Sequence, residues 1–126
     1  MNTNKKKLIQ LGQNIDQAWL DNQIKKIIVK IERNMERFGD DFPSACATDG
    51  KYRIKGNDDW TNGFWTGMIA LAYEYTGNAK FLHRVEANME SFQKRLDDHF
   101  VLDHHDIGFL YSLSAGAGYK ITGDEH

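Results

Sequence analysis

One cysteine, one proline, no excess of charge of either sign and no long hydrophobic run characterise the 126-residue chain. Cys46, being alone, cannot close an internal disulfide. Sixteen Lys and Arg against eighteen Asp and Glu leave a formal charge of −2. That balance lacks the basic surplus that draws nucleic acid phosphates or an anionic membrane. The apolar stretch from Trp65 to Tyr75 is short and contains Glu74, well under the roughly 20 residues that a membrane span needs. At the start, Met1 to Lys7 is followed only by Leu8-Ile9-Gln10-Leu11-Gly12, which lacks the apolar core of a signal peptide. These shortages predict a globular cytoplasmic protein with neither a nucleic acid nor a membrane partner.

Apolar residues make up 40% of the chain and aromatics 12%, enough to build the core of one ordinary domain. Ile24, Ile27, Ile28, Ile31, Met35 and Phe38 follow helical spacing between Asp16 and Phe38, with charged residues between them, and Gly39 ends the helix. From Asp40 to Asn57 the Gly, Asp and Asn content and Pro43 predict a long irregular connection, extended at most at Tyr52-Arg53-Ile54. A second helix is expected from about Trp60 to Thr76, capped by Asp58 or Asp59 and closed by Gly77. Its Gly63 and Gly67 lie one turn apart and permit close approach of a neighbour or ligand. The third helix sets Phe81, Val85, Met89, Phe92 and Leu96 on one face, with charged residues opposite, and ends at Asp97, Asp98 and His99. A fourth is expected from about Asp106 to Thr122.

The fourth helix echoes the second. Gly63-Phe64 recurs as Gly108-Phe109, and Tyr75-Thr76-Gly77-Asn78 as Lys120-Ile121-Thr122-Gly123-Asp124, an offset of about 45 residues typical of stacked helical hairpins. Thr76-Gly77-Asn78 leads into a partner helix, whereas the second copy is followed by little more chain, so the reading is of a fragment that stops in mid-hairpin. Residues 1–12, with Lys5 to Lys7, are expected as a flexible tip, and 13–126 as the domain. An apolar helical face left uncovered would favour self-association.

The run Asp103-His104-His105-Asp106, directly before an apolar helical stretch, concentrates titratable groups as a polar cavity does. Asp106 at a helix start is either a plain N-cap or a functional carboxylate at the helix mouth. Asp103 reads as a cap or loop residue. His105 could donate to a substrate oxygen or share a proton with a carboxylate, while His104 points elsewhere; the alternative for either is a histidine satisfied by backbone carbonyls. In Asp58-Asp59-Trp60-Thr61-Asn62-Gly63-Phe64-Trp65-Thr66-Gly67, the Trp60 indole could stack on the apolar face of a sugar ring, whereas Trp65 reads as core. His83 falls on a charged helix flank and reads as solvated.

The segments 59–67, Tyr73-Glu74-Tyr75-Thr76-Gly77 and 102–112, together with Arg37-Phe38-Gly39-Asp40-Asp41-Phe42-Pro43, resemble in order and spacing the N-terminal third of the unsaturated glucuronyl hydrolases, glycoside hydrolase family 88. The resemblance implies an all-α fold, helical hairpins of an (α/α)6 barrel that is incomplete in this chain. It also implies a hydration reaction on the 4,5-unsaturated uronic acid that polysaccharide lyases leave on glycosaminoglycan oligosaccharides. Asp106 matches one of two essential aspartates, the one given the nucleophile or stabiliser role, and His105 and Trp60 match positions lining the sugar pocket. The proton-donor aspartate has no counterpart before His126, so the 126 residues alone are expected to be inactive. Neither a cofactor nor a metal ligand is implied. Two rival readings remain: a manganese-dependent phosphoesterase, in which an Asp-His-His motif follows a strand of a parallel sheet, and a non-enzymatic helical interaction module.

Overall fold

The computed structural model of the chain describes residues 3–13 and 15–123. Its elements are helices α1 (Thr3–Gly12) and α2 (Gln17–Phe38), strands β1 (Phe42–Thr48) and β2 (Lys51–Lys55), and helices α3 (Asn62–Thr76), α4 (Ala79–Asp97), α5 (Ile107–Leu113) and α6 (Ala115–Thr122). They fall into two compact units, residues 1–33 and 34–126, with the division inside α2.

In the first unit, the segment expected as a flexible tip is helical over Thr3–Gly12. Met1, Asn2 and Asn14 lie outside the described residues. From Asn4 to Gly12 the α1 residues are exposed, Leu8 and Leu11 among them. Asp16 caps α2, its Oδ1 accepting from the Trp19 N–H at 2.7 Å. Along α2, Ile31 is buried whereas Ile27 of the expected apolar face is exposed.

The second unit is built on aromatic contacts. Gly39, at φ +58°, ends α2 with its N–H on Met35 O, and Phe38 meets the Trp65 ring edge-on at 5.4 Å. Trp65 is therefore core, as its helical spacing suggested. The expected irregular connection is instead an antiparallel hairpin, pairing Phe42 with Lys55 and Thr48 with Lys51. Its turn is Asp49-Gly50, both at positive φ, the pair that a two-residue hairpin loop favours and that the loop-like composition masked. Phe42 anchors the hairpin by packing against Phe92 at 5.6 Å.

Two helix boundaries and one buried face differ from the sequence expectation. α3 begins at Asn62, after Thr61 and not after an aspartate: Lys55 Nζ pairs with Asp58 Oδ1 (3.0 Å) and Asp59 Oδ2 (3.8 Å), and Asp59 Oδ1 accepts from Thr61 N–H at 3.5 Å, ahead of the helix. On α4 the buried residues are Phe81, Val85, Asn88, Phe92 and Arg95, while Leu96 is 40% exposed. The stripe keeps a strict alternation of four- and three-residue steps, which brings Arg95 inward and turns Leu96 out. The expected fourth helix is broken at Ser114, whose buried hydroxyl donates back to Leu110 O at 2.7 Å, giving α5 and α6 in place of one rod.

The repeat is present in the backbone. Gly63-Phe64 and Gly108-Phe109 are the second and third residues of α3 and α5. Gly77 and Gly123 both close their helices in the left-handed conformation, with N–H bonds to Tyr73 O and Tyr119 O at 2.8 Å each. Thr76 and Thr122 donate to Ala72 O and Gly118 O in the same manner. Asp124, which completes the second copy, lies outside the described residues.

Candidate functional site

Two glycines set the geometry. A Cβ on Gly63 would collide with the Leu110 carbonyl and come within 2.9 Å of Leu110 Cα, and one on Gly67 would lie 3.0 Å from Leu113 O. The close approach anticipated at this glycine pair is thus filled by α5. Because Gly63 meets Leu110 and Gly67 meets Leu113, α3 and α5 run parallel, and their N-termini point to the same end. Trp60 precedes one start and Asp106 the other. In the repeat, Asp106 and Thr61 are equivalent N-cap positions.

Asp106 occupies the N-cap position of α5 without using it: its side chain makes no capping hydrogen bond, while its carbonyl accepts from Leu110 N–H at 3.1 Å. The carboxylate is 22% exposed and lies 3.4 Å from His105 Nε2. His105 itself is 92% exposed, so the pair opens outward to solvent. Asp103 is an exposed loop residue. Trp60 is 40% exposed and meets the Phe64 ring edge-on at 5.6 Å, which fixes the indole while leaving it free to stack. His83 is exposed on α4.

His104 turns the other way, into a buried polar network that the sequence reading missed. Its Nε2 lies 3.3 Å from Nη2 of Arg95, a residue only 2% exposed. A guanidinium has only donors, so His104 Nε2 accepts and its proton resides on Nδ1. Arg95 also donates to Phe100 O (3.1 Å), Val101 O (2.7 Å), Asn57 Oδ1 (3.2 Å) and Asp59 O (3.1 Å). Burial pulls its pKa below the usual arginine value, opposed by the charges of Tyr111, Asp58 and Asp59. The network continues through the fully buried Asn62, 3.1 Å from Asn57 Oδ1, and through Thr66 to Asn88 Nδ2 at 3.0 Å. The available signal was periodicity: Asn88 and Arg95 are polar residues in register with Phe81, Val85 and Phe92.

The Asp-His-His motif follows α4, and the strands among the described residues form an antiparallel hairpin elsewhere in the chain, which does not match the parallel-sheet setting of the phosphoesterase reading. Among the described residues no three His, Cys, Asp or Glu side chains gather as metal ligands, and no helix is long and apolar enough to cross a membrane.

Comparison with known proteins places these features in a family. The model of Glycosyl Hydrolase Family 88 matches residues 31–126. The unsaturated chondroitin disaccharide hydrolase of Streptococcus pneumoniae (strain ATCC BAA-255 / R6) is 46% identical over 115 residues, 91% of this chain and 27% of that protein. The unsaturated glucuronyl hydrolase of Bacillus sp. (strain GL1) is 48% identical over 93 residues, 74% of this chain and 25% of that protein. The chain therefore spans about a quarter of the length of these relatives. The crystal structure of unsaturated glucuronyl hydrolase from Streptococcus agalactiae superposes with a TM-score of 0.85 at 37% identity, over 87% of this chain and 28% of that one. An aspartate-to-asparagine mutant of that enzyme, complexed with dGlcA-GalNAc6S, matches with a TM-score of 0.84 at 38% identity, over 86% and 29% of the two chains. These neighbours are (α/α)6 barrels, and the helical hairpins described above are a portion of that architecture. The chain belongs to glycosyl hydrolase family 88.

Proposed function

We propose that residues 13–126 are the N-terminal part of a single (α/α)6-barrel catalytic domain that hydrates the 4,5-unsaturated uronic acid of glycosaminoglycan oligosaccharides. Asp106, His105 and Trp60 serve the sugar pocket. The observation that carries this reading is the carboxylate of Asp106, which stands at a helix start, makes no capping bond and is within reach of an imidazole. The names of the relatives and the disaccharide in the S. agalactiae complex supply the substrate class.

In the hydration, a proton is delivered to C4 of the vinyl ether and positive charge develops at C5 and the ring oxygen. Water then adds at C5, and the hemiketal opens to release the neighbouring sugar. A carboxylate at Asp106 stabilises the developing cation or accepts a proton from the water. His105 donates to a substrate oxygen, and Trp60 stacks on the apolar face of a sugar ring. Proton delivery to C4 falls to the second aspartate that the family resemblance implies and that residues 1–126 do not supply. A positioned general acid commonly contributes about 10²- to 10⁴-fold, so these residues alone bind the sugar without turning it over. The single exposed thiol of Cys46 suits a reducing compartment, and we place the protein in the cytoplasm.

The test is an unsaturated chondroitin disaccharide added to the purified 126-residue chain, with binding read from tryptophan fluorescence and turnover from loss of the conjugated-alkene absorbance. Saturable binding without turnover is the expected result. Turnover at an enzyme's rate overturns the assignment of proton delivery to a residue outside 1–126, and absence of binding at millimolar sugar removes the pocket reading.

A further inference from the structure

Arg95 is a charge buried where an apolar residue would continue the α4 core stripe, and burying a charge is costly unless every donor is used. The guanidinium has five N–H donors, and the five partners divide between two segments. Asn57 Oδ1 and Asp59 O belong to the turn that carries Trp60, and Asp59 O is the carbonyl of the peptide bond to Trp60 itself. Phe100 O, Val101 O and His104 Nε2 belong to the segment that delivers Asp106. That second segment needs holding: His99 and Val101 both have positive φ, at 51° and 49°, a conformation that neither residue favours on its own. No other side chain among the described hydrogen bonds joins both segments.

We propose that Arg95 is a positioning residue for the sugar site: its planar fork fixes the Trp60 turn against the 100–104 segment, so that the indole and the Asp106 carboxylate address one substrate. The role rests on the reading of Trp60 and Asp106 given above, although the tie between the segments can be tested without a sugar. A lysine cannot replace the fork. It keeps the charge but has three donors on one nitrogen, too few and too close together to span both segments.

Hydrogen exchange on the 126-residue chain, comparing wild type with Arg95→Lys, measures the tie directly. Amides of 58–61 and of 101–106 are expected to exchange about tenfold faster or more in the variant, while those at the centre of α4, Val85 to Phe92, stay unchanged. In side-chain ¹⁵N spectra at neutral pH, His104 is expected to lose its fixed Nδ1–H tautomer and the exposed His105 to be unaffected. Affinity for the unsaturated disaccharide should fall by about tenfold or more, since both sugar-contacting groups lose their mutual placement.

Unchanged exchange in either segment, or faster exchange spreading through α3 and α4, overturns the proposal in favour of a general packing role. Loosened segments with full disaccharide affinity overturn it as well. If the wild type binds no disaccharide, the sugar-site reading falls, and the exchange data still decide whether Arg95 ties the segments. Should Arg95→Lys not fold, His104→Ala cuts one partner on the Asp106 side: exchange is then expected to rise in 101–106 and not in 58–61, and a uniform rise counts against the tie.

Discussion

Asp106 sits where a helix ordinarily takes a capping side chain, and the absence of a capping bond gives that position a measurable signature. A true Asp cap costs about 1 kcal/mol when truncated to alanine. Asp106→Ala is expected to change the denaturant-unfolding free energy by less than about 0.5 kcal/mol while weakening disaccharide binding. A loss of a full cap's stability would return the residue to a purely structural role. The two neighbouring indoles should behave in opposite ways. Trp65, 3% exposed and packed on Phe38, should cost about 3–5 kcal/mol of stability as Trp65→Ala. Trp60→Ala should spare stability and weaken sugar binding by about 0.5–1.5 kcal/mol, roughly two- to tenfold in Kd by titration. Tyr111 adds a pH dependence. Burial raises its phenol pKa, and the nearby Arg95 opposes this only in part. The folded state thus favours the neutral phenol. The stabilisation is complete below the ordinary tyrosine value of about 10 and is lost as pH rises through the higher folded value. Unfolding free energy should fall above about pH 10, and less steeply in Tyr111→Phe.

At the scale of elements, the repeat places glycines at equivalent positions whose surroundings differ. Gly63 faces the Leu110 backbone, which cannot yield as a flexible side chain can, whereas nothing lies within 4 Å of a Cβ on Gly108. Gly63→Ala is expected to destabilise by about 1–3 kcal/mol or more by forcing α5 away from α3. Gly108→Ala should be neutral or stabilising by up to about 1 kcal/mol through helix propensity. Thermal unfolding of the pair checks both, and equal effects would mean that α3 and α5 do not meet as described. The same elements show what a sequence reveals and what it hides. Helical periodicity located α2, α3 and α4, and the Gly-Phe and Thr-Gly echoes located the repeat, because these patterns are local and set by backbone geometry. The break at Ser114 was hidden, since a serine bonding back to Leu110 O depends on burial that spacing does not report. The hairpin was hidden because its strands are largely exposed and show no apolar alternation around Asp49-Gly50. In the candidate site, Asp106, His105 and Trp60 stood out by residue type. Arg95 did not, because among many charges on α4 only its register with Phe81, Val85 and Phe92 distinguishes it.

For the whole molecule the question is what becomes of the apolar surface on the outer side of α3. Phe64, Met68, Leu71 and Tyr75 recur at four-, three- and four-residue steps and are 42%, 45%, 64% and 48% exposed, which makes a continuous stripe and not scattered single residues. The stripe borders a groove of about 590 Å³ whose far wall includes Leu113, Ala117 and Ile121. In a ring of helical hairpins, each such surface is covered by the next hairpin in the ring. The relatives have about four times the length matched here, and residues 1–126 studied alone must leave the stripe in water or bury it against another copy. Burial removes apolar area at about 25 cal/mol per Å², and self-association follows. Sedimentation of the 126-residue polypeptide is therefore expected to show a mass that rises with concentration, and Leu71→Lys, placing a charge at the most exposed point of the stripe, should return it toward the 14.5 kDa monomer. Secondary structure should be unchanged in the variant, because Leu71 projects away from the core formed by Ile69, Ala70 and Ala72. A parent chain that stays monomeric at high concentration, or a variant that associates as strongly as the parent, would show that this face is not what drives assembly.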